Sequence, residues 1–173
     1  ERRRTHIAEL EDLIAKLTAK RDSLDASQAD RVARIDGVLA DLDRALYLAE
    51  SGPTGGGPAP TVVANATGCS SVYASTMPFT PYLDPWVNSL FQDAQPLAAG
   101  IYEGLSAQQI VEVKAMRKAR LELEDAYDPA TYDKRLSTLT WRDLTAEELR
   151  LMPNVLTIGG DGASYDIGFG AMS

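Results

Sequence analysis

Along the first fifty positions, apolar residues recur at the spacing of one helix face. Ile7, Leu10, Ile14, Leu17 and Leu24 follow one another at intervals of three, four and seven, and Val32, Ile35, Leu39, Leu42 and Leu46 repeat the pattern. The polar stretch DSLDASQAD lies between the two stripes and is rich in capping residues. This predicts two antiparallel helices joined near Asp25 to Asp30, each arm offering about three turns or a little more. Arms of that length are marginal alone in water, so the hairpin must lean on itself and on something else. Its charged outer faces read as solvated, and His6 reads as an exposed helix residue. The basic start ERRR is followed by Glu9, Glu11 and Asp12, which cancel most of its field and favour a structural insertion over a partner-docking arm.

SGPTGGGPAP, residues 51–60, then breaks the helical pattern: four glycines and three prolines in ten residues make a linker or a surface loop. TVVA, from Thr61, is a short buried-strand candidate that runs into NATGCSS, a turn of small polar residues. Pro78, Pro81 and Pro85 stiffen a segment carrying Phe79, Tyr82 and Trp86, which reads as a packed covering loop. A helix is expected near Trp86 to Phe91 and another after Pro96. Ser106 with Gln109 has capping-box spacing and is expected to open a charged helix through about Ala126. DPATYDKRLSTLTWRD reads as a loop with a possible short helix, and Thr145 with Glu148 repeats the capping box before Pro153 and Asn154 stop that helix. Val155 to Ile158 form the next strand and deliver a run of glycines.

Charge and cysteine usage narrow the chemistry. Seventeen basic against 25 acidic residues give a net charge of -8, which argues against a dominant role on nucleic acid or an anionic membrane. No apolar stretch reaches the roughly 18–20 residues of a membrane span and no signal-peptide pattern is present, so a cytoplasmic protein is expected. Cys69 is the only cysteine and His6 the only histidine, too few for an internal disulfide or a Cys/His zinc site.

The glycines after Ile158 bear most directly on function. A strand entering Gly159-Gly160-Asp161-Gly162 can turn sharply with no Cβ in the way and aim amides at a phosphate, with Asp161 beside them as a hard oxygen ligand. Mg²⁺ on a diphosphate takes one or two such carboxylates together with phosphate oxygens and water. Taken alone, a glycine turn with an Asp is more often an ordinary turn. GGDGAS fits neither the phosphate-loop Lys-Ser/Thr pattern nor dinucleotide spacing.

Three motifs in order, ANATGCSSVY, DPWVNSLFQDAQ and GGDGASYDIGFG, resemble the thiamine-diphosphate domain of the pyruvate:ferredoxin (flavodoxin) oxidoreductase family. The resemblance covers about Thr61 to Leu105 and Val155 to Ser173, while 1–50 and 106–154 carry no match. It implies an α/β fold, part of a parallel-sheet thiamine-diphosphate-binding domain with a helical-hairpin insertion, helix-rich overall. The implied organisation is a hairpin over 1–50, a linker over 51–60 and a partial cofactor domain over 61–173. Asp161 would be the Mg²⁺ ligand, with Gly160 and Gly162 shaping the diphosphate turn, and Cys69 would ligate a [4Fe-4S] cluster. Asn65, Thr67, Gly68 and Ser70 would line the same cleft with Asn88 near it, and no catalytic residue is assigned.

The implied reaction is oxidative decarboxylation of pyruvate or a related 2-oxoacid to acyl-coenzyme A, with electrons passing to ferredoxin or flavodoxin. The family pattern also needs a Cys-x-x-Cys pair upstream of NATGC, a later cysteine and a second metal-binding stretch, which these 173 residues lack. The chain is therefore expected to be a piece of a larger enzyme, homo-oligomeric when complete, that acts with its remaining domains or subunits and is inactive alone. The alternative is a noncatalytic helical interaction or assembly module in which the GDG turn is structural only.

Overall fold

Both apolar stripes form helices, and both helices run further than the spacing predicts. In the computed structural model, which describes residues 1–66, 84–89 and 94–159, α1 spans Arg2–Asp22 and α2 spans Ala29–Glu50. At 21 and 22 residues each arm makes about six turns, not about three, because polar positions around the stripes continue the helix on its solvent side. Asp25 opens the intervening 3-10 turn, its carboxylate accepting the Ser27 N–H at 2.8 Å.

The chain divides into two compact units. A helical unit joins Glu1–Pro58 to Ala107–Leu151, and a sheet unit joins Ala59–Ser106 to Met152–Ser173. Nearly all of 1–50 and 106–154, the stretches without a motif match, belong to the helical unit. Its core sets Leu10, Leu17, Ile35 and Leu42, all 0% exposed, against Ala115, Met116 and Ala119 of α3 (Ala94–Leu123). Each such leucine or isoleucine contributes about 1.5–3 kcal/mol by leaving water. The additional support required by the hairpin is thus the carboxyl-terminal half of α3.

The ERRR start has a local task within this unit. The Arg3 guanidinium donates to the carbonyls of Ala49 (2.6 Å), Gly56 (2.8 Å) and Glu50, tying the carboxyl end of α2 to the glycine-rich loop. Gly57 makes that approach possible: its φ is +70°, and a Cβ there would lie 2.1 Å from an Arg3 nitrogen.

Further along the chain, α3 replaces two expected features. Ser106 caps nothing; it lies inside α3, 1% exposed, and its hydroxyl donates to the Tyr102 carbonyl one turn back at 2.6 Å. A serine satisfied in this way needs no helix start, and LAAGIYEGL simply continues the period. Asp128 caps α4 (Pro129–Ser137), with proline at its first position. Thr145 and Glu148 form the expected capping box on α5 (Ala146–Leu149), with reciprocal bonds of 3.2 and 2.7 Å.

The sheet unit holds three parallel strands in the order β2-β1-β3: β1 is Thr61–Ala66, β2 is Trp86–Ser89 and β3 is Asn154–Ile158. The helix expected over Trp86 to Phe91 is a correction, since Trp86–Ser89 form β2. The Pro85 carbonyl accepts the Val63 N–H at 2.8 Å, and pairing with β1 follows at once. Central β1 is buried at Val62, Val63, Ala64, Asn65 and Ala66, as a parallel strand covered on both faces should be. Small Ala66 packs against Ala94 at the start of α3, both 0% exposed. The chain thus adopts the expected helix-rich α/β class with a parallel sheet.

Candidate functional site

All three strands are parallel, so their carboxyl ends share one edge, where ligands of open α/β sheets bind. The register brings the motif residues to that edge together. Asn65 of β1 pairs with Asn88 of β2 on one side and with Ile158 of β3 on the other. The carboxamide of Asn65 donates from Nδ2 to Oδ1 of Asn88 at 2.8 Å. Asn65 is fully buried and Asn88 half-buried. One residue beyond Ile158 stands Gly159, exposed, followed in sequence by Gly160, Asp161 and Gly162.

Two of the nine sequence-predicted site residues, Asn65 and Asn88, are therefore in direct contact. Thr67, Gly68, Cys69 and Ser70, which follow β1, lie outside the described residues, as do Gly160, Asp161 and Gly162, which follow β3. Among the described residues no group of three or more His, Cys, Asp or Glu is placed to hold a metal ion. No helix among them is long and apolar enough to cross a membrane.

Buried charge appears instead in the helical unit, in places the sequence reading missed. His6 is a correction: it is 8% exposed, and its Nε2 meets Glu112 at 2.7 Å. The cause is spacing, because His6 precedes Leu10, Leu13 and Leu17 on the buried stripe of α1. Glu122 is 1% exposed, accepting from Nε of Arg31 at 2.9 Å and Nε of Arg34 at 2.5 Å. It falls seven residues after Ala115 and three after Ala119 on the inward face of α3, a signal the sequence already contained.

Around this pair, Asp125 accepts from Lys20 at 2.6 Å and from Arg31 at 2.7 Å, which holds its carboxyl below the usual range, Lys20 contributing most. Burial and the bond to Asp133 raise the Tyr127 hydroxyl well above its ordinary value. A groove of ≈ 540 Å³ in the same unit is lined by Arg2, His6, Glu9, Arg120, Glu147 and Arg150, among others. Its charges are of both signs, with Arg120 and Glu9 paired across it, so it carries no net field for an ion. These contacts tie α1, α2 and α3 together, whereas Asn65 and Asn88 meet in the sheet unit.

Over 113 residues the chain is 31% identical to pyruvate synthase subunit PorB of Methanocaldococcus jannaschii, covering 65% of this chain and 27% of that protein. It is 28% identical over 146 residues to pyruvate-flavodoxin oxidoreductase of Trichormus variabilis and 30% identical over 142 residues to the probable pyruvate-flavodoxin oxidoreductase of Escherichia coli. Those two alignments each cover 64% of this chain and 12% of the relative. The chain is a distant homologue of these oxidoreductases. It spans about a quarter of the length of PorB and about an eighth of the other two. No family model and no solved structure matches it.

Proposed function

We propose that this chain is part of a 2-oxoacid oxidoreductase and contributes one wall of its Mg²⁺-thiamine-diphosphate site. The observation that supports this best is the register Asn88–Asn65–Ile158, which aligns at one sheet edge the strands leading into NATGCSS, NSLFQ and GGDG. The relatives supply the reaction class, since each is named for pyruvate chemistry.

The donor set fits one group and not another. A carboxylate flanked by glycines, Asp161 between Gly160 and Gly162, suits a hard divalent cation on a diphosphate, and Asn65, Thr67, Gly68, Ser70 and Asn88 line the adjoining edge. Thiamine diphosphate, when bound, supplies the electron sink for decarboxylating a 2-oxoacid. The task of the chain is to hold the diphosphate end and orient the cofactor across the strand termini. A [4Fe-4S] cluster does not fit these residues by themselves, because Cys69 is the only thiolate and such a cluster is held by four cysteines. Coenzyme A, ferredoxin or flavodoxin, and the remaining ligands belong to the larger enzyme of which this chain is proposed to be part.

The test is titration of the chain with Mg²⁺-thiamine diphosphate, followed by backbone NMR. Binding in about the millimolar range, with shifts concentrated at Ala64 to Ser70, Trp86 to Ser89 and Ile158 to Gly162 and abolished in Asp161→Asn, is the expected result. Absence of any shift at this edge, or shifts that survive in Asp161→Asn, would overturn the reading. A second reading, a helical assembly module, draws on the exposed Tyr47, Leu48 and Val111 of the helical unit, and the same negative result would favour it.

A further inference from the structure

The resemblance leaves Asn65 and Asn88 without individual roles, and the sheet supplies one. β1 reads TVVANA and is buried from Val62 to Ala66, so it lacks the alternation of apolar and polar positions that normally fixes strand register. Small and apolar residues fill both of its faces, and shifting such a strand by one place trades one small apolar side chain for another. Asn65 is the exception. A buried carboxamide is costly unless it is hydrogen-bonded, and its donor meets the acceptor of Asn88 directly across the ladder. Slipping either strand by one residue would set Asn65 opposite Val87 or Ser89 and turn the two carboxamides to opposite faces. The bond therefore exists in one register only.

We propose that Asn65 and Asn88 are positioning residues. They form a clamp that pins the register of β1 and β2 where both strands leave the sheet, and they are not ligands of the cofactor themselves. A one-residue slip is about 3.3 Å, enough to misalign the two segments that begin at Thr67 and Leu90. The functional meaning of the clamp rests on the reading that this edge holds the diphosphate, whereas its existence does not.

The test uses the full chain, with Cys69, its single cysteine, as the reporter of the segment after β1. In Asn88→Ala the rate of thiol labelling by a small disulfide reagent rises about fivefold or more. Asn88→Asp keeps an acceptor for Asn65 and stays within about twofold of the parent. Val62→Ala, which weakens the same strand without touching the clamp, also stays within about twofold, so loss of stability alone does not mimic the effect. The double variant Asn65→Ala/Asn88→Ala labels more slowly than the product of the two single effects, because either change removes the bond they share. If Asn65→Ala fails to fold, the two Asn88 variants decide alone.

Labelling of Asn88→Asp as fast as Asn88→Ala, or rates that multiply in the double variant, would overturn the clamp. Affinity for Mg²⁺-thiamine diphosphate is measured separately. No binding by the parent chain sinks the cofactor reading and leaves the labelling to judge the clamp. Binding that Asn88→Asp weakens more than Asn88→Ala does would show a carboxylate repelling the diphosphate directly, and would overturn the positioning role.

Discussion

The helical unit and the sheet unit are built on opposite rules. In the first, large apolar side chains from α1, α2 and α3 interlock, and the charged groups among them are matched: Glu122 by two arginines, Asp125 by Lys20 and Arg31, Glu148 by Arg117. In the second, the described inner residues apart from Met152 are small, among them Val62, Val63, Ala64, Ala66 and Ala94, and the most buried polar group is a carboxamide. β3 leaves Leu156 50% exposed, and Val87 of β2 is 39% exposed. Among the described residues, large buried apolar side chains are thus concentrated in one unit, while the residues with candidate chemistry belong to the other. On the proposed reading, a sheet edge that admits a ligand between strand ends has little room for large interlocking side chains, and the large buried side chains are gathered where no ligand has to enter.

Truncation in the two units measures that contrast most strongly. Leu42→Ala empties a fully buried position in the three-helix core and is expected to cost about 2–5 kcal/mol in urea denaturation. Leu156→Ala, the same chemical change on half-exposed β3, is expected to cost under about 1 kcal/mol. Equal losses would mean that the sheet unit carries as much of the stability as the helices, and the division of labour would fail.

Glu122→Gln tests the helical rule at a single charge. The carboxamide can accept from Arg31 or from Arg34, but it turns its NH₂ toward the other, so one of the two guanidinium–carboxylate bonds is replaced by a donor facing a cation. A loss of about 2–4 kcal/mol is expected, with the far-UV spectrum of the folded chain unchanged. A neutral outcome would mean that solvent screens Glu122 despite its burial.

The same contrast governs how far the sequence could be read. The hairpin was legible because six turns of amphipathic helix repeat their signal many times, and the Thr145–Glu148 box because both partners lie within one turn. Residue type alone misplaces His6 and Glu122: both sit on buried stripes, and both find partners more than eighty residues away along the chain. The four residues of β2 carry no period, so the expected helix fails there and only pairing with β1 decides them. Spacing along the chain gives no sign that Asn65 and Asn88, 23 residues apart, bond to each other.

The smallest expected effect is the response to acid, and its sign follows from which carboxylates are held down. Asp125 by Lys20 and Arg31, Asp128 by Thr131 and the Ala130 amide, Asp133 by Tyr127 and Asp143 by the Thr140 amide and hydroxyl all lie below the ordinary carboxylate range. Among the described residues, every acid so shifted belongs to the helical unit. A group whose folded pKa is depressed stabilises fully above its unfolded value, near about 4, and loses that contribution as the pH falls through the folded value. The urea midpoint is therefore expected to be flat from pH 7 to about 5 and to decline below about 4. These side chains are exposed, so each contribution is small and added salt weakens it further. Asp125→Asn removes the carboxylate that links Lys20 of α1 with Arg31 of α2, and should make the acid decline shallower while leaving the plateau only slightly lower. A decline of unchanged steepness in that variant would mean that the exposed ion pairs of the helical unit add nothing to its stability, leaving its apolar seam and the buried Glu122 pairs as the whole difference between the two units.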